Sequence, residues 1–265
     1  ENRITGNSGS GNTNNYIYLP NVLKGNVMLG TSNDFEWVFE NGAYVSAGAV
    51  WELGADEVVK FKSSSDGIDV YGTLRVNTTA EHPAVLTSIN DDAYGEAIGS
   101  RTPYKGDWEG IYVRAGGVAV LDHAVVRYGG YDNLSTYTQA LVRVDEGGSL
   151  TLTNSLLEHS KQFGVYVYGV EEQAILNNTI NDCIGYGIVI SDIDSDNDTL
   201  AVSPEIRGNV INNSQYPIYI TSPDGYTGEN RITGNSGSGN TNNYIYMPNV
   251  LKGNVKMGTS NDFEW

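Results

Sequence analysis

Residues 178–190 have the sequence Asn-Thr-Ile-Asn-Asp-Cys-Ile-Gly-Tyr-Gly-Ile-Val-Ile, two short strand-like segments separated by a glycine-containing turn. In the second segment Ile188 and Ile190 flank Val189, an alternation that points neighbouring side chains to opposite faces of a strand. Glycine or asparagine interrupts the chain about every ten residues, so no sustained helical periodicity develops. This unit of strand, turn and strand decides the fold, because it recurs along the chain.

Two columns of apolar residues recur together. The first column is the leading residue of an apolar–x–apolar strand and returns at intervals of about 23 to 31 residues. Its members are Ile111, Val142, Val165, Ile188, Ile218 and Ile245. The members of the second column are Val125, Leu156, Ile180, Ile211 and Ile232. Two columns in step indicate a solenoid in which each recurrence is one coil and both columns face the core.

A longer repeat encloses this short one. Residues 1–37 return as residues 229–265, and only three pairs differ: Leu19/Met247, Met28/Lys256 and Leu29/Met257. So little drift indicates a recently duplicated unit of a tandem array. We therefore predict one continuous β-helix over 1–265, in which 1–228 is one full repeat and 229–265, the copy of 1–37, starts the next.

The repeat is expected to hold a whole number of coils. Eight can be drawn in 1–228, with a ninth beginning at Glu229, and one repeat then advances the solenoid by roughly 38 Å. The predicted coil starts are Glu1, Asn26, Val50, Thr73, Gly117, Gly148, Val170 and Ala201. Two long excursions, Asn90 to Gly106 and Asp192 to Pro204, are predicted to be loops that leave the wall.

Several segments resemble a known superfamily. They are Val58-Val59-Lys60-Phe61, Gly72-Thr73-Leu74, Leu86 to Asp92, Gly106 to Ile111, and Leu121 to Gly130. In these the chain resembles the right-handed parallel β-helix (pectate-lyase-like) superfamily, and more closely its tandem-repeat secreted and cell-surface proteins. The resemblance implies an all-β fold, a single right-handed parallel β-helix. It leaves function open, because this fold hosts lyases, hydrolases, adhesins and passive stalks.

Composition narrows the function classes. The formal net charge is −17, which disfavours nucleic acid and anionic membranes as partners. The single cysteine, Cys183, excludes an internal disulfide framework, and no apolar run is long enough for a transmembrane segment. An acidic chain with 18 Tyr, 32 Gly and one Cys is typical of extracellular or cell-surface repeat proteins.

One strand face carries the candidate binding residues. The outward row is predicted to be Tyr18, Asp69, Tyr112, Arg143, Tyr166, Val189, Tyr219 and Tyr246. We assign Tyr112, Tyr166, Tyr219 and Tyr246 as candidate binding residues, an aromatic ledge for sugar rings or a neighbouring fibre. The alternative is cross-strand packing, since aromatic pairs on one sheet face stabilise it by ~0.2–1 kcal/mol each. An asparagine column, Asn154, Asn178, Asn209 and Asn230, is expected to hydrogen-bond from coil to coil.

No catalytic residue is assigned. Glycoside hydrolysis needs two carboxyl groups about 5–9.5 Å apart around one sugar, and the predicted outward row contains one carboxylate, Asp69. A polysaccharide lyase or hydrolase remains the enzymatic alternative that the superfamily resemblance implies.

Two acidic segments are candidate calcium ligands. Asp192, Asp194, Asp196 and Asp198 alternate in one excursion, and dense carboxylates suit Ca²⁺, which takes 6–8 oxygen ligands. Asp91, Asp92, Glu96 and Asp107 bracket the other excursion. The alternative for both segments is a solvated acidic loop. Ca²⁺ is the one candidate cofactor, and neither segment is assigned as a definite metal site.

These observations favour a structural tandem-repeat segment of an extracellular filament, stalk or fibre. Its expected partners are further copies of the same repeat in cis, with lateral fibre association or glycan contact in addition. The alternatives are a carbohydrate- or protein-binding adhesin module and the polysaccharide-cleaving enzyme.

Overall fold

The chain winds into a right-handed parallel β-solenoid whose wall consists of three sheets. The computed structural model describes residues 4, 6–30, 35–131, 138–169, 173–192, 203–222, 224–229, 231–256 and 262–265. All the secondary-structure elements in these ranges are β-strands, and the strands within each sheet are parallel. The all-β, right-handed parallel β-helix predicted from the sequence is therefore confirmed.

From the first strand onward, eight successive coils each contribute one strand to sheet B, one to sheet C and one to sheet A, and a further strand in sheet C follows. Sheet B consists of β1 (Tyr16–Tyr18), β4 (Glu36–Phe39), β7 (Val58–Phe61), β10 (Ala84–Ser88), β13 (Ala124–Arg127), β16 (Leu156–Glu158), β19 (Thr179–Asn181) and β22 (Val210–Asn212). Sheet C consists of β2 (Val22–Leu23), β5 (Ala43–Val45), β8 (Gly67–Val70), β11 (Gly110–Val113), β14 (Ala140–Val144), β17 (Phe163–Tyr168), β20 (Ile188–Ser191), β23 (Ile218–Thr221) and β26 (Ile245–Tyr246).

Sheet A consists of β3 (Asn26–Leu29), β6 (Val50–Leu53), β9 (Thr73–Asn77), β12 (Val118–Asp122), β15 (Ser149–Thr153), β18 (Ala174–Leu176), β21 (Glu205–Arg207) and β25 (Ile232–Thr233). A separate parallel pair is formed by β24 (Tyr226–Glu229) and β27 (Leu251–Lys256). No helix among the described residues is long and apolar enough to cross a membrane.

The core fills the space between the three sheets. The predicted first column is confirmed as inward-facing: Ile188 is fully buried and pairs with Val165 on one side and Ile218 on the other. Towards the N-terminus aromatic rings take over, and Phe61 stacks between Phe39 and Trp108 with centroid distances of 5.7 and 4.2 Å. Because neighbouring side chains of a strand point to opposite faces, every second residue faces the core, and these residues are mostly apolar.

The second predicted column is confirmed at Ile180 and Ile211, which pair and are fully buried, but its other members are out of register with them. In sheet B, Leu157 rather than Leu156 pairs with Ile180 and is fully buried. Ile232 belongs to sheet A, where it pairs with Ile206. The prediction aligned the asparagines of successive turns, but the turns differ in length, so that alignment was wrong by a residue or more.

The asparagine ladder is present at Asn178 and Asn209 as predicted, and it continues to Asn235 and Ser155 rather than to Asn154. Asn178, Asn209 and Asn235 are buried at the turn between sheets A and B, and each accepts a backbone N–H from the preceding coil on its side-chain oxygen. Ser155 takes this position one coil earlier, where its hydroxyl accepts from Ala124 N. Asn154 instead adopts a positive φ of 50° at the turn and is exposed, and Asn230 lies outside the described residues.

The two copies of the repeated segment do not occupy the same sheet. Ile17 lies in sheet B, whereas its counterpart Ile245 lies in sheet C. From β1 in sheet B to β26 in sheet C, the chain makes eight complete coils and in addition moves on from one sheet to the next. The expectation of a whole number of coils per repeat was therefore wrong.

Near the N-terminus a buried carboxyl group makes stability depend on pH. Glu57 is buried, and Trp37 Nε1 donates a hydrogen bond to its Oε2. Burial raises the pKa of Glu57 above its ordinary value of 4.5, against the opposing effect of that hydrogen bond. The folded protein therefore holds a proton that the unfolded chain releases, and the free energy of unfolding should fall as pH rises from about 4 to above the folded-state pKa.

Glu57→Gln should flatten that pH dependence, because the amide oxygen still accepts from Trp37 while the titration is gone. Urea unfolding at a series of pH values between about 4 and 7 measures the effect. Glu81→Gln, at an exposed carboxylate, is the matched control and should leave the wild-type slope unchanged. Identical pH profiles for Glu57→Gln and the wild type would contradict the raised pKa.

Candidate functional site

The outer face of sheet C carries one row of mostly polar and aromatic side chains. Strand pairing places Asp69, Tyr112, Arg143, Tyr166, Val189, Tyr219 and Tyr246 in successive register. This order was predicted, except that Tyr44 precedes Asp69 where Tyr18 was expected. Tyr18 lies on sheet B.

An ion-paired cluster occupies the middle of this row. Arg114 Nε donates to Asp69 Oδ1 at 2.6 Å, and its Nη1 donates to Asp145 Oδ2 at 2.7 Å. Arg143 reaches the other oxygen of Asp145 through Nε at 2.8 Å, and its Nη1 donates to Thr138 Oγ1 at 2.7 Å. We name Asp69, Arg114, Arg143 and Asp145 the Arg–Asp cluster; its two cations and two anions balance.

Arg114 holds the Arg–Asp cluster together across three coils. Partial burial alone would lower the pKa of its guanidinium, but the hydrogen bonds and charges of Asp145 and Asp69 outweigh burial and raise it. Sequence reasoning missed Arg114 and Asp145. Each lies two residues after a member of the predicted row, Tyr112 and Arg143, so period-two counting along the strand would have found both.

Two of the predicted binding tyrosines are covered by arginines. Arg114 and Arg143 lie over the ring of Tyr112, with 5.0 and 5.6 Å to its centroid, and Arg143 also lies 6.0 Å from the centroid of Tyr166. Tyr112 and Tyr166 are only 7% and 5% exposed. Their rings therefore support the arginines by cation–π contact and turn little surface to solvent.

The other two predicted tyrosines belong to a stacked ladder at the C-terminal end. Tyr219 stacks on Tyr246 at 4.3 Å and on Tyr186 at 4.9 Å, and Tyr186 stacks on Phe163 at 5.2 Å. Tyr216 packs edge-on against several of these rings. We name Phe163, Tyr186, Tyr216, Tyr219, Tyr244 and Tyr246 the aromatic ladder. Because stacked rings cover each other's faces, the ladder presents ring edges and hydroxyl groups outward.

Hydroxyl pairing adds to the ladder. Tyr216 and Tyr244 share a hydrogen bond of 3.2 Å between their hydroxyl groups. That bond, with desolvation in addition, raises the pKa of Tyr216 to about 12, so the hydroxyl is neutral at physiological pH. The ladder thus offers neutral hydroxyls, groups with which proteins bind glycans or other proteins.

A second polar cluster lies on sheet B under the excursion that follows β10. Lys60 is fully buried, and its Nζ donates to the backbone oxygens of Asp91 at 3.0 Å and Glu96 at 2.6 Å. Arg127 contacts Asp91 at 3.1 Å and Glu158 at 2.8 Å. Burial lowers the pKa of Lys60, opposed by the nearby carboxylates. These contacts hold the loop against sheet B.

The proposed calcium ligands of that loop have protein partners. Asp91 accepts from Thr87 at 2.7 Å, and Asp107 accepts from Ser88 at 2.7 Å and Arg101 at 2.6 Å. In the other excursion Asp192 is buried and accepts from Ser222 at 3.1 Å, whereas Asp194, Asp196 and Asp198 lie outside the described residues. No group of three or more potential ligands converges within the described part of the chain. The Asp192–Asp198 site stays a prediction.

Cys183 is enclosed in the core. Burial raises the pKa of its thiol to about 12, which leaves it without the thiolate that nucleophilic chemistry requires.

Comparison with known proteins assigns the architecture. A family model described as "Right handed beta helix region" matches residues 98–247, more than half of the chain. Comparisons with curated proteins and with solved structures found no match.

Proposed function

The chain belongs to the right-handed β-helix family, and on that premise we propose that it is a segment of an extracellular rod, stalk or fibre built from tandem copies of residues 1–228. Every described strand pairs only with parallel neighbours, so the wall grows along one axis. Further copies in the same polypeptide are the partners that this architecture suits, because each new coil covers the open edge of the last. The acidic composition, rich in Tyr and Gly, supports an extracellular location.

One observation carries the proposal: equivalent residues of the two copies differ in burial. Leu23 is 3% exposed and Trp37 is fully buried, whereas their counterparts Leu251 and Trp265 are 51% and 41% exposed. In the first copy Trp37 lies between β1 and β7, so a following coil covers it. In the second copy the residues that would follow are those equivalent to 38–61. The exposed apolar side chains thus match the surface that a next repeat buries.

The test is a chain in which residues 38–228 are repeated after Trp265. Small-angle scattering should show a single rod lengthened by roughly 33 Å, because the added stretch from β4 to β24 forms about seven coils that advance ~4.8 Å each. The fluorescence of Trp265 should also become less accessible to acrylamide.

Leu251→Asp provides the matched comparison. At an exposed position of the 265-residue chain it should change the free energy of unfolding by less than about 0.5 kcal/mol. In the extended chain it should cost several kcal/mol, as Leu23→Asp should also do, because the carboxylate becomes buried. Equal effects in both chains, or no lengthening, would contradict the rod.

A second function is favoured by the outer face of sheet C. The aromatic ladder and the Arg–Asp cluster both lie on this face, on either side of the buried Tyr166 and Val189, and each is suited to glycan or protein contact, which is the adhesin alternative. Of the four tyrosines predicted to bind, Tyr219 and Tyr246 are the accessible ones, because Tyr112 and Tyr166 are buried beneath arginines.

Tyr219→Ser with Tyr246→Ser should weaken binding to a glycan or protein ligand found by array screening by about tenfold, the usual effect of truncating interface aromatics. Their melting temperatures should change little, because both side chains lie on the outer face. Tyr104→Ser, at a 63% exposed tyrosine of the sheet B excursion, is the control and should leave affinity unchanged. Equal affinity of all variants would remove this face from binding.

A further inference from the structure

Two identical strands of this chain belong to different sheets. Residues 16–18 and 244–246 both have the sequence Tyr-Ile-Tyr. The first is β1, the first strand of sheet B. The second includes β26, the last strand of sheet C, where Ile245 pairs with Ile218 and Tyr246 with Tyr219.

The pairing towards the following coil is nevertheless the same in both copies. Tyr16 pairs in parallel with Glu36, and its counterpart Tyr244 pairs in parallel with Glu264. Ile245 N donates to Glu264 O at 2.6 Å. The strand 244–246 therefore has a sheet C neighbour behind it. Its neighbour in the following coil is Glu264. The equivalent residue in the first copy, Glu36, belongs to sheet B.

We infer that, where one repeat follows another, sheet C of the first continues as sheet B of the next. The array then turns by one face, about 120° for a three-sheet wall, with each advance of about 40 Å. Three repeats restore the starting orientation. This inference rests on the tandem rod proposed above and specifies its geometry.

The rotation determines how the rod meets its surroundings. The Arg–Asp cluster and the aromatic ladder lie on sheet C, so successive repeats present them in three directions around the axis. A rod of this kind engages partners from all sides, whereas whole-coil repeats would align the same residues along one edge. The geometry fits multivalent contact with several neighbours or an extended matrix.

Two cysteine pairs distinguish the arrangements in the extended chain. In the rotated arrangement position 246 lies opposite Tyr219, as it does here. If each repeat held a whole number of coils, Ile245 would belong to sheet B and pair with Ile211. Position 246 would then lie opposite Asn212. Adjacent parallel strands hold Cα atoms within the 4.4–6.8 Å that a disulfide needs. All three positions are on outer faces, and the native Cys183 is buried and stays in place.

The pair Tyr219→Cys with Tyr246→Cys should cross-link under mild oxidation in both the 265-residue and the extended chain. The pair Asn212→Cys with Tyr246→Cys should cross-link in neither. Loss of the first cross-link in an extended chain that has lengthened would overturn the rotation and leave the rod intact. An extended chain that does not lengthen would contradict the rod itself, whichever pair reacts.

Discussion

Ile188→Asp should lower the melting temperature by about 10 °C or more. Ile188 is fully buried in β20 and pairs with Val165 and Ile218, so the new carboxylate would enter an apolar column in the middle of the solenoid. Burial of an unpaired carboxylate together with the loss of an isoleucine side chain costs about 4 kcal/mol or more. In a chain of this size each kcal/mol shifts the midpoint by roughly 2–4 °C.

Thermal unfolding followed by circular dichroism measures the effect. Ile184→Asp is the matched control, because it introduces the same change four residues earlier at a side chain that is 61% exposed. It should shift the midpoint by no more than about 1 °C. Tyr219→Ser, on the outer face of the same sheet, should likewise have little effect. Equal losses for Ile188→Asp and Ile184→Asp would show that the inward assignment of sheet C is wrong.

Asn209→Leu should lower the free energy of unfolding by about 3 kcal/mol or more, although the side chains are similar in volume. Asn209 is fully buried, and its Oδ1 accepts from the backbone N and the Nδ2 of Asn178, both at 3.0 Å. Its Nδ2 donates to Ile175 O at 2.8 Å. Leucine would leave these groups unpaired in the core, and each costs about 1–3 kcal/mol.

Urea unfolding gives the free energy, and hydrogen exchange at the Asn178 amide reports the lost bond directly. Asn209→Ser should retain part of the stability, because Ser155 already serves the ladder with a hydroxyl. Asn77→Leu, at an exposed residue of β9, is the control. If Asn209→Leu were as stable as Asn77→Leu, the ladder would contribute nothing to stability.

Much of the fold followed from local pattern. The inward column of sheet C and the outward row from Asp69 to Tyr246 were predicted correctly, because alternation along a strand is decided by a few adjacent residues. The ladder was misplaced at Asn154, because turns of unequal length shift the register between coils. Only the backbone bond from Ser155 to Asn178 identifies the true position.

The candidate site was predictable in its residue types and not in its contacts. The four tyrosines lie on one face as predicted, but Arg143, which covers both Tyr112 and Tyr166, comes from β14, distant in the chain from Tyr112. Likewise Asp91 and Asp107 have the composition of a calcium loop, and the structure gives them partners on the wall. Such pairings depend on residues distant in the chain, so composition does not reveal them.

The sequence by itself determined that this protein is a parallel solenoid, that one side of each strand is apolar, and that residues 1–37 recur as 229–265. Only the tertiary structure decided which sheet each copy joins. Tyr16–Tyr18 and Tyr244–Tyr246 are identical, yet one starts sheet B and the other ends sheet C. The physical reason is that a strand's alternation is a local property, whereas its sheet is set by hydrogen bonds to coils before and after it. The first copy has its partner ahead in β4, and the second has one behind in β23.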